Sequence, residues 1–366
     1  MAIYEPGDPS VPIQRRSRVA GWLMLAFTTA LILGLSFFPA PYVIDKAGPT
    51  YDTLGPIEIE DTSLEMILIS GADTYESSGE LLMTTVTRLG NPEALPGWLD
   101  VVQGWVDPSR SVIPVDVAFP PGTTLEETRQ AAELDMSNSQ QDAVAAALDY
   151  VGIRFGSSLV VSQALEGGPS EGVLVPGDVV LAANGAEVDS VSALRQLISE
   201  SGTTRPVIIS VIRDERLMDV EIIPRMTDGP DRVPMIGILL ARSYDFPIEV
   251  EIALENVGGP SAGLMFTLGI VEKLTENEIT HGQIVAGTGT INAQGDVGPV
   301  GGIRHKMLGA KEDGAVWFLA PEGNCPDLVR FIPDGLRVVP VSSVDEAVDA
   351  LENLGNGEST GFCEDG

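Results

Sequence analysis

The chain has 366 residues, 44% of them hydrophobic, and a formal net charge of −32. That length leaves room for about two or three domains with cores of their own, and so acidic a surface argues against nucleic-acid binding, which needs basic groups to meet phosphates. No Gly-x4-Gly-Lys-Ser/Thr phosphate loop occurs, and 2 cysteines with 2 histidines offer no zinc-site spacing, so neither an ATPase module nor a metal or other cofactor is expected.

Arg15, Arg16 and Arg18 precede an uncharged apolar run from Val19 to Val43, long enough to span a bilayer as a helix. Positive charge ahead of the run predicts a cytoplasmic N-terminus over residues 1–18, a single-pass anchor over 19–43, and the bulk of the chain outside the cytoplasm at the cell membrane. A cleaved signal peptide is the competing reading. The length of the apolar core and the poor cleavage site Phe38-Pro39-Ala40-Pro41 weigh against it. In residues 44–135, Leu81-Leu-Met-Thr-Thr-Val86 has strand character and Trp98–Val106 has apolar residues at helical spacing, both better suited to a core than to a site.

Residues 136–226 read as a second module. Ala143, Val144, Ala147 and Leu148 form a helical stripe, and Tyr150-Val-Gly-Ile153 leads into an extended run ending at Val160-Val161. Then come Val175-Pro-Gly-Asp178, the apolar strand Val179-Val-Leu-Ala182 and an Asn184-Gly185 turn. Ser190 can cap a helix carrying Val191, Leu194, Leu197 and Ile198, and Val207–Ile212 closes the module with a strand. This order resembles a bacterial PDZ domain, β-sandwich-like with helices. Such a domain adds an extended peptide to a sheet edge and holds its terminal carboxylate on backbone N–H groups. Tyr150, Val151, Gly152 and Ile153 are the candidate loop for that, although Tyr-x-Gly-Ile equally fits the start of an ordinary strand.

Residues 234–354 carry the chemistry. Gly258-Gly-Pro-Ser261-Ala-Gly-Leu264 is followed by apolar residues at helical spacing, Leu264, Met265, Leu268 and Val271, which places Ser261 at a helix N-terminus with unpaired N–H groups nearby. Gly301-Gly-Ile-Arg-His-Lys306 opens a second, partly buried helix. A serine needs a neighbour to take its proton, and a lysine can do so when desolvation lowers its pKa. Together Ser261 and Lys306 make a serine–lysine dyad. Gly259, Pro260 and Ala262 flank the nucleophile as supporting and oxyanion-hole positions. His305 neighbours Lys306 on a helix and so points about 100° away, as a structural or exposed residue.

These segments look like the proteolytic domain of Lon-type serine proteases. Ala286-Gly-Thr-Gly-Thr-Ile291 and Gln294-Gly-Asp-Val-Gly-Pro-Val-Gly-Gly302 match the strand and turn before the lysine in that family. The resemblance implies that Ser261 is the nucleophile, that Lys306 is the general base, and that Thr288 sits near the lysine. It also implies a possible homo-oligomer in the form of a hexameric ring, and packing of residues 44–135 against the protease domain. Gly258 departs from the pattern, since ATP-dependent relatives often carry an acidic residue there. Taken with the PDZ-like module and the apolar run, the chain is similar to membrane-anchored, PDZ-containing Lon-like proteases.

Beyond the lysine, Ala315–Leu319 and Leu336–Val341 read as buried strands, and Ser343-Val-Asp-Glu346 is a capping box for a last helix. Residues 355–366 form an acidic, flexible tail. Cys325 and Cys363 are either paired in a disulfide, as an oxidising compartment favours, or two free thiols. The expected architecture is α+β and multidomain: a transmembrane helix, a PDZ domain and a Lon-type domain. The expected function is that of an ATP-independent, membrane-anchored, extracytoplasmic serine endopeptidase acting on protein or peptide substrates. The alternative is a membrane-tethered peptide-binding scaffold with a latent or inactive peptidase domain.

Overall fold

The helix Gly263–Leu274 is apolar on all sides and is buried from Gly263 through Glu272, the signature of a helix at the centre of a core. In the computed structural model, which describes residues 15–59, 62–120, 122, 124–188, 190–227, 232–254, 257–356 and 361–363, it lies against a 6-stranded sheet. The strand order is Arg337–Val341, Trp317–Pro321, Ile284–Gly287, Glu80–Leu89, Tyr42–Asp52, Ser111–Pro114. The first four strands run parallel to one another and the last two join antiparallel.

Successive side chains of a strand face opposite sides, and this sheet uses both. Leu81, Met83, Val285 and Leu319 pack with the central helix. Leu82, Ala286 and Phe318 pack with Ile303, Met307 and Ala310 of the helix Ile303–Glu312. Serine-bearing and lysine-bearing segments thus approach the strand Glu80–Leu89 from its two faces. A third helix, Leu125–Tyr150, starts at a capping box in which Glu127 N–H donates to Thr124 Oγ1 (3.1 Å) and Thr124 N–H to Glu127 Oε2 (2.8 Å). Its small residues Ala143, Ala146 and Ala147 let it approach the central helix within the same core.

A second, antiparallel sheet has the order Arg216–Ile222, Val207–Arg213, Val179–Ala183, Gly156–Ala164, Ile238–Asp245. Its core of Leu159, Val161, Val180 and Ile209 is closed by Leu194 and Ile198 of the helix Val191–Ser201. Asn184 (φ 50°) and Gly185 (φ 78°) make the tight turn between Val179–Ala183 and Ala186–Glu187, the left-handed pair that a two-residue hairpin needs. Asp178, wholly buried, accepts two hydrogen bonds of 2.6 Å from the Arg213 guanidinium.

The expected membrane anchor over 19–43 is corrected by the structure. The apolar run is not one helix: Arg15–Phe37 is helical, while Tyr42–Asp52 is a strand of the main sheet. There Ala40, Val43 and Ile44 are buried, and Ala40 and Ile44 pack on Val101. Among the described residues no helix is long and apolar enough to cross a membrane. The transmembrane helix in the expected fold class falls with this finding. So do the membrane-anchored family assignment, the membrane partner, the membrane-tethered scaffold, and the localisation with a cytoplasmic N-terminus and an extracytoplasmic catalytic domain. Residues 1–14, and 357–360 and 364–366 of the expected tail, lie outside the described residues.

Cys325 and Cys363 are joined by a disulfide across a sequence separation of 38. Next to it Phe362 stacks on Trp317, and Cys363 N–H donates to Val338 O, so the bond fastens the tail to the edge of the main sheet. Closing a loop of that length restricts the unfolded chain by about 4 kcal/mol in the chain-entropy view. Replacing both cysteines by serine should lower the urea-unfolding free energy by about 2–4 kcal/mol.

Candidate active site

Ser261 is presented by a loop clamped on both flanks. Gly259 has φ 89°, a left-handed value that favours glycine. Its N–H donates to Ala132 O on the helix Leu125–Tyr150 (2.9 Å), and Ser139 Oγ of the same helix donates to Pro260 O (3.0 Å). On the other flank, the carbonyl of Ser261 accepts from Gly289 N–H (3.0 Å) and from Thr288 Oγ1 (2.8 Å). The helix itself begins at Gly263 with Ala262 as its N-cap, so Ser261 stands just ahead of the first turn.

Lys306 comes from the opposite face of the sheet. Its helix starts after Gly302, whose φ is 66°; a Cβ at that position would meet Val86 Cγ2 at 2.8 Å. The close approach carries the lysine side chain past the strand to the serine. Nζ lies 2.8 Å from Thr84 O and 2.7 Å from Ser261 Oγ, and the residue is 3% exposed. No ion pair to Lys306 exists among the described residues. Burial therefore acts unopposed and lowers the amine to about 8 from its ordinary 10.5.

Thr288 is wholly buried, but its hydroxyl binds the serine carbonyl rather than the lysine amine. The lysine is oriented instead by the main chain of Thr84, a residue that carries no side-chain signature for the role. The one sequence cue to that region is the strand pattern of Leu81–Val86. His305 is buried, with Nδ1 3.0 Å from Ser109 O and Nε2 2.9 Å from Ser111 Oγ, and desolvation lowers its pKa. It ties the lysine helix to the segment before the edge strand Ser111–Pro114.

Of the expected oxyanion-hole positions, Gly259 has its N–H engaged by Ala132 and Pro260 has none to offer. The N–H groups of Ser261 and Ala262 make no hydrogen bond among the described residues. They flank a cavity of about 490 Å³ lined by Met83, Val86, Met136 and Val257 as well as by both dyad residues. Among the described residues no carboxylate lines it, and the charge of Arg88 at its rim is matched by Asp45 through bonds of 2.7 and 2.8 Å. Tyr150, Val151, Gly152 and Ile153 lie apart from this cavity. The N–H groups of Val151, Gly152 and Ile153 close the end of the helix Leu125–Tyr150 on the carbonyls of Ala147, Asp149 and Leu148, so they present no donors to a peptide carboxylate. Among the described residues no cluster of His, Cys, Asp or Glu could hold a metal ion.

Residues 251–353 match the family model of the Lon protease (S16) C-terminal proteolytic domain. The chain is 42% identical over 113 residues to a Lon protease of Azospirillum brasilense, a stretch covering 30% of this chain and 14% of that protein. It is 33% identical over 122 residues to a Lon protease of Rickettsia typhi, covering 32% of this chain and 15% of that one. The chain thus spans about 15% of the length of these curated relatives. Together the matches support a Lon-type proteolytic domain in the C-terminal part of the chain. A solved PDZ domain of an SdrC-like protein from Listeria innocua is matched at 23% identity and a TM-score of 0.21, over 23% of this chain and 92% of that one.

Thr288→Val removes the hydroxyl that holds the serine carbonyl while keeping the side-chain volume. One hydrogen bond of this kind is worth about 1–1.5 kcal/mol, so peptidase kcat should fall about tenfold with little change in KM, as read by steady-state kinetics.

Proposed function

We propose that the chain is a serine endopeptidase that works without ATP, with Ser261 as nucleophile and Lys306 as general base. The observation that carries this reading is the 2.7 Å contact between Ser261 Oγ and a buried Lys306 Nζ whose pKa is lowered to about 8. A neutral amine at that distance takes the hydroxyl proton as Oγ bonds to the scissile carbonyl carbon. The oxyanion then forms beside the N–H groups of Ser261 and Ala262. Collapse breaks the C–N bond, and the lysine ammonium returns its proton to the leaving amine. A water molecule next loses a proton to Lys306, attacks the ester carbon and frees the acid, and the proton passes back to Oγ. Among the described residues the cavity beside the dyad has no carboxylate in its mixed polar and apolar lining, which suits neutral side chains.

The second sheet is read as a PDZ-type peptide-docking module for recruiting or gating substrates. The edge of Gly156–Ala164 nearest Tyr150 is already paired, residue by residue, with Ile238–Asp245. Docking is therefore assigned to Ile238–Asp245, the last strand in that sheet. Gly237 (φ 70°) shapes the loop ahead of it, and Pro234–Met235 lies beside the helix Val191–Ser201. Main-chain addition at such an edge gives affinity, and loop N–H groups capture a terminal carboxylate.

Two experiments test these readings. The full chain should cleave casein without ATP, and Ser261→Ala and Lys306→Ala should each lower the rate by at least about a thousandfold. With Lys306 as base, kcat/KM should rise about tenfold per pH unit below 8 and level off above it; cleavage that survives both variants would discard the dyad. For the docking module, a fluorescent peptide with a free apolar C-terminus should bind at least about tenfold more tightly than its C-terminal amide. Equal binding would remove the carboxylate-capture role.

A further inference from the structure

The helix that carries Lys306 has no side-chain cap, and two glycines stand directly ahead of it. Gly302 is the N-cap, and its carbonyl accepts from His305 N–H (2.9 Å) and Lys306 N–H (3.2 Å). Gly301 lines the cavity beside the dyad, and a Cβ built on it would meet nothing within 4 Å. Neither glycine has a side chain with which to hold the backbone, and glycine is the residue most free to rotate. The direction of the first turn, and with it the path of the lysine side chain, depends on what holds the residue before them.

That residue is Val300, and Asn324 holds it by both backbone groups. Asn324 Oδ1 accepts from Val300 N–H (2.9 Å), and Asn324 Nδ2 donates to Val300 O (3.1 Å). The pairing fixes the orientation of the side-chain amide, because the N–H needs an oxygen and the carbonyl needs a donor. Asn324 is 7% exposed, and its side chain makes no other hydrogen bond among the described residues. It ends the single turn Glu322–Asn324, which follows the strand Trp317–Pro321 of the main sheet. The next residue, Cys325, is bonded to Cys363. The anchor is thus tied to a sheet strand on one side and to a disulfide on the other. A Cβ on Gly323 would stand 3.7 Å from Pro299 Cβ, so this turn and the loop before Val300 run side by side.

We infer that Asn324 is a positioning residue for the dyad: its two hydrogen bonds to Val300 set the Gly301–Gly302 link and so the approach of Lys306 Nζ to Ser261 Oγ. The effect on rate rests on the dyad reading; the place rests on the hydrogen bonds alone. Asn324 does not line the cavity, so it acts through Lys306 and not on the substrate. A reacting group displaced by a fraction of an ångström loses rate steeply. A loosened loop also admits water to a buried amine, which moves its pKa back toward the exposed value.

The test uses the full chain carrying Asn324→Leu or Asn324→Ala. Both variants remove the two bonds and add no charge that could itself move the lysine, and leucine keeps nearly the shape of asparagine. In each, kcat for casein cleavage should fall by at least about tenfold with KM unchanged. The Lys306 Cε signal of 13C-labelled protein should titrate about one unit above its place near 8 in the unsubstituted chain, and the rise of kcat/KM with pH should shift equally. Arg88 at the cavity rim stays paired with Asp45, and His305 with Ser109 and Ser111, so the shift reads the setting of the amine. Should Asn324→Ala fail to fold, Asn324→Leu is read by the same measurements. A lower urea-unfolding free energy with the Lys306 titration, kcat and pH profile unmoved would make Asn324 a fold stabiliser only, and overturns the assignment while leaving the dyad. No cleavage by the unsubstituted chain, with the Lys306 signal still displaced by the substitution, removes the dyad and keeps the positioning.

Discussion

A lysine amine with no carboxylate paired to it among the described residues, 3% exposed and lying between Thr84 O and Ser261 Oγ, is the constraint on which the rest of the architecture depends. An ammonium in that place would have two hydrogen-bond acceptors and little water, and an unpaired buried charge is strongly disfavoured. Burial pulls the group to about 8 from 10.5. The sign follows: the charged form works against the folded state below about pH 8, and that penalty disappears as pH rises from 8 toward 10.5. Keeping such a group buried requires a rigid setting, and the core provides it from three directions.

The strand Glu80–Leu89 supplies the carbonyl, the helix Ile303–Glu312 supplies the amine, and the loop before Gly263–Leu274 supplies the hydroxyl. Each is backed by buried apolar residues on a different face of the same sheet or helix. The fourth part is Leu125–Tyr150, whose Ala132 carbonyl and Ser139 hydroxyl hold the residues just before Ser261. That helix also touches the second sheet, since Tyr244 Oη donates to Asp142 Oδ1 at 2.6 Å. Tyr244 in turn stacks on Phe246 with centroids 5.2 Å apart. One helix therefore contacts both the loop that carries Ser261 and the strand Ile238–Asp245.

What could be read from the sequence follows from the range of the interactions involved. The serine and lysine segments announce themselves because glycines, a proline and helical apolar spacing act within a few residues. The last helix shows its Ser343 cap, with Glu346 N–H donating to Ser343 Oγ, for the same reason. The partner of Lys306 was invisible: a main-chain carbonyl 222 residues away has no residue-type signature. The engagement of the Val151, Gly152 and Ile153 N–H groups at the helix end was not legible, because an N–H that can bind a carboxylate looks in sequence like one that closes a helix. The apolar run 19–43 misled because hydropathy does not show where one element ends and the next begins: Arg15–Phe37 is a helix, and the end of the run enters the strand Tyr42–Asp52, where Val43 and Ile44 are buried. Thr288 lay in the right place, yet only coordinates reveal that its hydroxyl faces the serine carbonyl.

The account turns on the ionisation of one side chain in the resting protein. Lys46, Lys273, Lys306 and Lys311 are the chain's lysines, few enough for each Cε signal to be resolved after 13C labelling and assigned by substitution. A pH titration of those signals should show Lys306 losing its proton near 8, well below exposed lysines near about 10.4. A Lys306 signal that titrates together with the other three would mean that the amine stays charged at neutral pH, and would contradict the general-base role.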